Sequence, residues 1–123
     1  MCKCFIVYNC RVPLILAFAS TSLRSICEDE TEAEKQLGHL CSEALKHRLA
    51  DFDAANSIYD ILVGNLHVYE YSNGNDHKEM AIELYGGYQL VFSANHPQNP
   101  LDDMGRVDWT KVRRIKILQI ERS

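Results

Sequence analysis

The spacing of apolar residues along the chain changes from a helical period to a strand period near its middle. Two apolar stripes at helical spacing run from Leu23 to Leu37 and from Leu40 to Phe52. Ser20-Thr21-Ser22 offers N-cap hydroxyls before the first stripe, and Gly38 lies between the two stripes, where a helix would end. The pattern predicts a helical hairpin, preceded by a short apolar strand over Pro13 to Ala19.

Beyond Leu66 the apolar residues alternate as they do in strands. The segments with this pattern are His67 to Tyr71, Lys78 to Leu84, Tyr88 to Ala94 and Val112 to Ile120. The last of them is apolar on both faces, which is typical of a central strand. Residues 95–108 contain two prolines and adjacent aspartates, which predicts an exposed loop.

The register of one strand pair follows from its loop. A three-residue loop, Tyr85-Gly86-Gly87, pairs Ile82 with Leu90 and gives every apolar residue the same face. It also pairs Leu84 with Tyr88 and Met80 with Phe92. A two-residue loop would mix apolar and polar residues on both faces, which burial forbids. Glu83 and Gln89 should therefore lie together on the opposite face.

The order of these elements predicts the fold class. It is α+β, with an N-terminal strand, a helical hairpin and then a three- to four-stranded, mainly antiparallel sheet packed against the helices on one face. A chain of 123 residues supports one domain. We expect that domain to cover residues 13–123, and residues 1–12 to form an extension before it.

Charge is unevenly distributed along the chain. The net charge of −4 argues against a protein that binds nucleic acid with its whole surface. Residues 109–123 are basic, however, with Lys111, Arg113, Arg114, Lys116 and Arg122 against Glu121. This segment is either a local site for a polyanion or a solvated strand edge whose cations prevent aggregation.

The cysteines indicate the compartment. There are five, at positions 2, 4, 10, 27 and 41, an odd number at spacings that fit no disulfide framework. We expect free thiols in a reducing, cytoplasmic environment. Cys27 and Cys41 occupy apolar helical positions and are expected in the core. Cys2, Cys4 and Cys10 could be read as metal ligands, but no second Cys/His pair lies at the spacing of a zinc site. The N-terminal apolar run is too short and interrupted for a signal peptide or a membrane span.

Several spaced segments carry a family resemblance. They are Leu66-His67, Gly87 to Phe92, Asp108 to Val112 and Arg114 to Glu121. In this order they resemble the C-terminal half of the HigB-like toxins of the RelE/ParE superfamily, the plasmid maintenance system killer family. Relatives carry Leu-His-x-Leu, a Tyr-Arg-Leu-Val-Phe strand and a last strand ending Glu-Asp-Tyr-His. Here Gln89 stands in place of the Arg, and Arg122-Ser123 follow Glu121 in place of Asp-Tyr-His.

The resemblance implies the toxin of a type II toxin–antitoxin pair. Toxins of the RelE and HigB branches are metal-independent endoribonucleases that cleave messenger RNA on the translating ribosome. The implied partners are a helix-turn-helix antitoxin, the ribosome and its message, and operator DNA only through the antitoxin. No cofactor, metal or membrane is implied.

Candidate site residues follow from the same resemblance and from the basic segment. His67 matches the family's functional histidine and could transfer protons near neutral pH. The alternative is a strand histidine that hydrogen-bonds locally. Arg114 and Lys116 share one strand face and are candidate catalytic cations, whereas Arg113 takes the other face. Arg113 and Lys78 are candidate RNA contacts, although a strand-edge lysine is also compatible with simple solvation.

Two residues favour a different function. Glu83 and Gln89 are expected on the open sheet face where RelE-type relatives place basic side chains, and neither neutralises a phosphorane. A catalytically inactive module that binds antitoxin and operator, or a ParE-like gyrase inhibitor, therefore stays open as an alternative. Trp109 either stacks on a base or, in the simpler interpretation, anchors its loop on the core.

Overall fold

The computed structural model describes residues 14–55, 58, 61, 68–70 and 79–122. Within these residues, no helix combines the length and the apolar character needed to cross a membrane. The expected extension over residues 1–12 lies outside the described residues, as do His67 and Lys78.

The described elements confirm the α+β class. In chain order they are β1 (Ile15–Phe18), α1 (Thr21–Glu28), α2 (Glu30–Leu37), α3 (His39–Ala54), β2 (Val68–Glu70), β3 (Glu79–Glu83), β4 (Tyr88–Ala94), a 3-10 turn (Trp109–Lys111) and β5 (Arg114–Arg122). The strands form one mixed sheet of five in the order β1-β5-β4-β3-β2. β1 pairs with β5 in parallel, and the other neighbours are antiparallel.

The first helix of the expected hairpin is divided into two helices. Ser20, the first of the three candidate cap residues, caps α1, since its Oγ accepts a hydrogen bond from the Leu23 N–H at 3.1 Å. Asp29 then adopts extended backbone angles and caps α2, its carboxylate accepting from the N–H groups of Thr31 and Glu32. The expectation of two helices is wrong in number because a strong N-cap residue lies inside the apolar stripe. Gly38 ends α2 as expected.

The predicted register between β3 and β4 is confirmed. Met80 pairs with Phe92, Ile82 with Leu90 and Glu83 with Gln89. The Leu84 N–H donates to the Tyr88 carbonyl at 2.8 Å, which closes the three-residue loop. Gly86 and Gly87 both have positive φ, the backbone region that this loop requires and that glycine adopts without strain.

β5 is central, as expected, but not because both of its faces are apolar. Ile115 and Ile117 face the core, whereas Arg114 and Lys116 alternate with them on the opposite face. A bulge at Leu118 shifts the register, because Phe92 pairs with Ile117 whereas Val91 pairs with Gln119. The extra residue places apolar side chains at consecutive positions, which explains why the sequence looks apolar on both faces.

The core lies between the helices and one face of the sheet. Phe52 of α3 meets Phe92 of β4 edge to face at 5.4 Å between ring centroids. Phe92 meets Trp109 in the same way at 6.0 Å, so Trp109 anchors its loop on the core as predicted. Cys41 is buried and Cys27 half-buried, both as free thiols.

Candidate functional site

The face of the sheet that points away from the helical core is called the second face. It carries four of the sequence-predicted site residues: Glu83, Gln89, Arg114 and Lys116. Cross-strand pairing arranges its side chains in rows, because directly paired residues project to the same side. One row runs Glu79, Ser93, Lys116 across three strands, with Arg114 two residues before Lys116 on β5. Another row runs Glu83, Gln89, Glu121. Arg114 and Lys116 are neighbours along β5 rather than across strands, and we call this pair the cation row. We call the cross-strand set Glu83–Gln89–Glu121 the acid row.

The cation row brings together two of the predicted catalytic residues. Arg114 is exposed and Lys116 is half-buried, with Ser93 beside Lys116 on β4 and Ala17 beside it on β1. Glu79 lies beyond Ser93, two strands away and roughly 10 Å from Lys116 at the usual strand spacing. Ala17 and Ser93 are small, and Ser93 is only 8% exposed, so Arg114 is the more accessible of the two cations.

The third predicted cation of the basic segment has a structural role. Arg113 lies just before β5, and its Nη1 donates to the carbonyls of Thr110 at 3.1 Å and Val112 at 3.3 Å. These bonds tie the guanidinium to the 3-10 turn that leads into the strand. Part of the hydrogen-bonding capacity that would recognise RNA is therefore directed to the backbone.

His96 supports the cation row and was not identified from the sequence. Its Nε2 accepts hydrogen bonds from the backbone N–H of Arg113 at 3.0 Å and of Arg114 at 3.3 Å. An imidazole that accepts at Nε2 is neutral and carries its proton on Nδ1. Burial lowers the pKa of His96 below its ordinary value of 6.5, and the charges of Arg114 and Arg113 lower that pKa further. His96 therefore positions the first residue of the cation row.

The acid row is organised by hydrogen bonds between its side chains. The Gln89 amide donates to one carboxylate oxygen of Glu121, and the Gln119 amide donates to the other at 2.9 Å. Gln89 is only 6% exposed, whereas Glu83 beside it is exposed. The amide at position 89 thus orients the Glu121 carboxylate.

A polar cleft adjoins the acid row. Its volume is about 290 Å³ and its lining includes Tyr69, Glu83, Gly86 and Gln89. Burial raises the pKa of the Tyr69 phenol, and the nearby carboxylates of Glu83 and Glu121 raise it further. The cleft therefore holds a protonated phenol and the Glu83 carboxylate, with the Glu121 carboxylate near enough to act on the phenol, and this surface disfavours phosphate.

The two rows are far enough apart to act independently. Lys116 and Glu121 are five residues apart on β5, roughly 16 Å at the usual rise per residue. Unit charges at that distance in water interact by about 0.3 kcal/mol before salt screening. The acid row therefore does not cancel anion binding at the cation row, although the sequence alone suggests that it would.

The described strand β2 lies away from the cation row. β2 begins at Val68, which pairs with Ile82 beside the acid row. β2 and β5 are separated by two strands, which places them roughly 14 Å apart across the sheet. The assignments made for His67 and Lys78 lie outside the described residues and stay predictions.

Comparison with known proteins found no matching family model, no similar curated protein and no similar solved structure. Fold and site together define an α+β protein with helices on one sheet face and two separate charged rows on the other.

Proposed function

We propose that the chain is the toxin component of a type II toxin–antitoxin system, derived from a HigB-like, ribosome-dependent messenger RNA endoribonuclease. The observation that carries the proposal is the cation row, two basic side chains on the sheet face opposite the helices. The element order of the α+β fold and the spaced segments that resemble the toxins support it. The proposed partners are a helix-turn-helix antitoxin and ribosome-bound message.

The chemistry assigned to these residues is attack of a ribose 2′-hydroxyl oxygen on the adjacent phosphorus. This attack forms a 2′,3′-cyclic phosphate and breaks the bond to the 5′-oxygen of the next nucleotide, while the 2′-hydroxyl loses a proton and the leaving oxygen gains one. The developing phosphorane requires cations, which Arg114 and Lys116 supply as guanidinium and ammonium donors. His67 is the proposed proton-transfer group, and such a group typically contributes roughly 10²–10⁴-fold to the rate. Arg113 and Lys78 are the proposed contacts to flanking phosphates. Neither metal nor cofactor takes part in this scheme.

A second candidate function rests on the acid row. Gln89 and Gln119 both bind the Glu121 carboxylate, so a fixed negative charge occupies a region where RelE-type relatives use arginine. This arrangement favours a binding module that keeps the antitoxin and operator complex without cleaving RNA. A ParE-like gyrase inhibitor on the same fold is the remaining form of this alternative.

Induction of the full chain in a bacterial host separates these functions. The proposal predicts growth arrest, new ends in ribosome-bound message, and loss of both in His67→Ala and in the double variant Arg114→Ala/Lys116→Ala. Lys111→Ala is the matched control, because Lys111 is an exposed cation of the same basic segment outside the cation row. It should leave cleavage unchanged.

Each contrary result identifies an alternative. If the unaltered chain arrests growth while ribosome-bound message stays intact, the gyrase inhibitor is the function that remains. If the unaltered chain does not arrest growth but still binds the antitoxin encoded by the adjacent gene, the binding module is the function that remains. Equal loss of cleavage in Lys111→Ala and the double variant would remove the special role of the cation row.

A further inference from the structure

We propose that Glu34, His39 and Glu43 form a binding site for a divalent transition-metal ion at the corner between α2 and α3. Each side chain offers one ligand atom, and these three atoms all lie within 4.8 Å of one another. The site is on the helical side of the molecule and is independent of the cation row. It was not identified from the sequence, because its residues match no zinc motif.

The geometry of the helix corner holds the three side chains together. Gly38 ends α2 and immediately precedes α3, with φ +87°, so the chain changes direction at a single residue. The Gly38 N–H donates to the Glu34 carbonyl at 2.9 Å, and the Gly38 carbonyl accepts from the Ser42 N–H at 3.0 Å. These bonds link the last turn of α2 to the first turn of α3. Glu34 is thereby fixed relative to His39.

The two ligands from α3 have the spacing of a helical chelate. His39 and Glu43 are one turn apart, and residues at this spacing project from the same side of a helix. Paired ligands at this spacing on one helix are the arrangement that helical zinc motifs use. Glu34 then completes a three-donor set from a second helix.

An internal hydrogen bond accounts for only part of this cluster. The His39 Nδ1 lies 3.1 Å from a Glu34 carboxylate oxygen, which satisfies those two groups. Glu43 adds a second carboxylate to the same small volume, where carboxylates repel unless a cation lies between them. Lys46 is 3.6 Å from Glu43 but only 3.0 Å from Glu30. Glu43 can therefore turn to a metal while Lys46 keeps its shorter ion pair.

The donor set indicates the class of metal. One imidazole nitrogen and two carboxylate oxygens suit Zn²⁺, Ni²⁺, Co²⁺ or Cu²⁺, whereas Ca²⁺ and Mg²⁺ prefer oxygen donors alone. Three protein ligands leave at least one position for water. A bound ion would link the end of α2 to the start of α3 through side chains as well as through the backbone.

Calorimetric titration with zinc chloride tests the site. The full chain should carry Ser in place of Cys2, Cys4 and Cys10, because thiolates would compete for Zn²⁺. We expect one saturable site whose affinity falls at least about tenfold in His39→Ala, since loss of even an outer partner of a metal ligand costs roughly 10–100-fold. His47→Ala is the matched control, an exposed histidine of the same helix outside the cluster.

Glu43→Gln tests whether all three ligands take part. Its affinity for Zn²⁺ should also fall about tenfold, because a carboxamide is a weaker ligand than a carboxylate. The substituted side chains lie at the protein surface, and circular dichroism spectra should confirm that the variants keep their helices. Absence of saturable binding, or equal affinity in His39→Ala and His47→Ala, would overturn the proposal. Unchanged affinity in Glu43→Gln would overturn the three-ligand site.

Discussion

His96 decides how the last strand begins. Its neutral ring accepts hydrogen bonds from the backbone N–H of Arg113, just before β5, and of Arg114, the first residue of β5. The Asn95 N–H donates to the Arg114 carbonyl beside it. Protonation of the ring would convert the Nε2 acceptor into a donor and would add a third positive charge next to Arg113 and Arg114. The contacts at the start of β5 therefore depend on an uncharged imidazole.

Stability should consequently depend on pH through His96. Its pKa is lowered in the folded protein, so the unfolded chain binds more protons in the window between that pKa and 6.5. The stabilisation is fully present above pH 6.5 and is lost as the pH falls through this window. Chemical denaturation at a series of pH values should show the free energy of unfolding decreasing on acidification.

His96→Gln isolates this contribution. Glutamine keeps an acceptor oxygen but has no proton to gain, so the variant should lose less stability than the unaltered chain between neutral pH and pH 5. The other four histidines are present in both proteins, so their contributions cancel in the difference. Identical pH profiles for the two proteins would show that His96 contributes no proton linkage.

At the scale of the element, Asp29 determines how the helices are divided. Its backbone N–H still donates to the Ser25 carbonyl and closes α1, while its side chain opens α2. Glu30 and Glu32 follow in the first turn of α2, where the helix dipole favours negative charge. One residue thus ends one helix and starts the next.

Asp29→Ala should lower the free energy of unfolding by about 1 kcal/mol, the usual cost of losing a side-chain N-cap. Asp29→Asn is the control, since the carboxamide oxygen can accept the same bond from the Thr31 N–H. Thermal or denaturant unfolding of the two variants measures the difference. Equal stability of the alanine and asparagine proteins would mean that the cap contributes nothing.

The confirmed register between β3 and β4 and the unforeseen helix break at Asp29 show what sequence patterns can determine. The register between β3 and β4 was predictable because a one-residue slip would have reversed the face of every side chain. The break at Asp29 was not, because Ile26 and Ala33 continue one apolar face through it. His96 was missed for a further reason: it contacts a backbone group 17 residues away, and such a contact needs the register of β5 as well.

At the scale of the whole molecule, a protein of net charge −4 has its proposed anion site on one strand. The sequence was sufficient to place Arg114 and Lys116 on one face, since strand alternation fixes it. That Glu83 and Gln89 lie beside Glu121, away from these cations, required the pairing of β3, β4 and β5. Which side chains of neighbouring strands lie beside a site depends on how the strands pair, and amino-acid composition does not determine that pairing.

Binding of a single-stranded RNA oligonucleotide should therefore depend on salt through the cation row. Each phosphate contact contributes about 0.7 to the slope of log affinity against log salt concentration for single strands. Arg114→Gln and Lys116→Gln should each reduce the slope by about that amount in fluorescence anisotropy titrations. Lys35→Gln removes an exposed lysine of α2 and should leave it unchanged. Equal slopes in all four proteins would remove RNA contact from the proposed function.

The parallel pairing of β1 with β5 has a consequence for biosynthesis. Ile15 pairs with Arg114, and β1 has no other neighbour in the described sheet. β1 precedes the other described strands in the chain, so it lacks its described partner until almost all the other described elements have been translated. Contacts this distant in sequence form slowly, and an unpaired strand invites aggregation. Chaperone capture of the nascent chain should accordingly persist until β5 emerges, and only then can Arg114 and Lys116 take their places on a completed sheet.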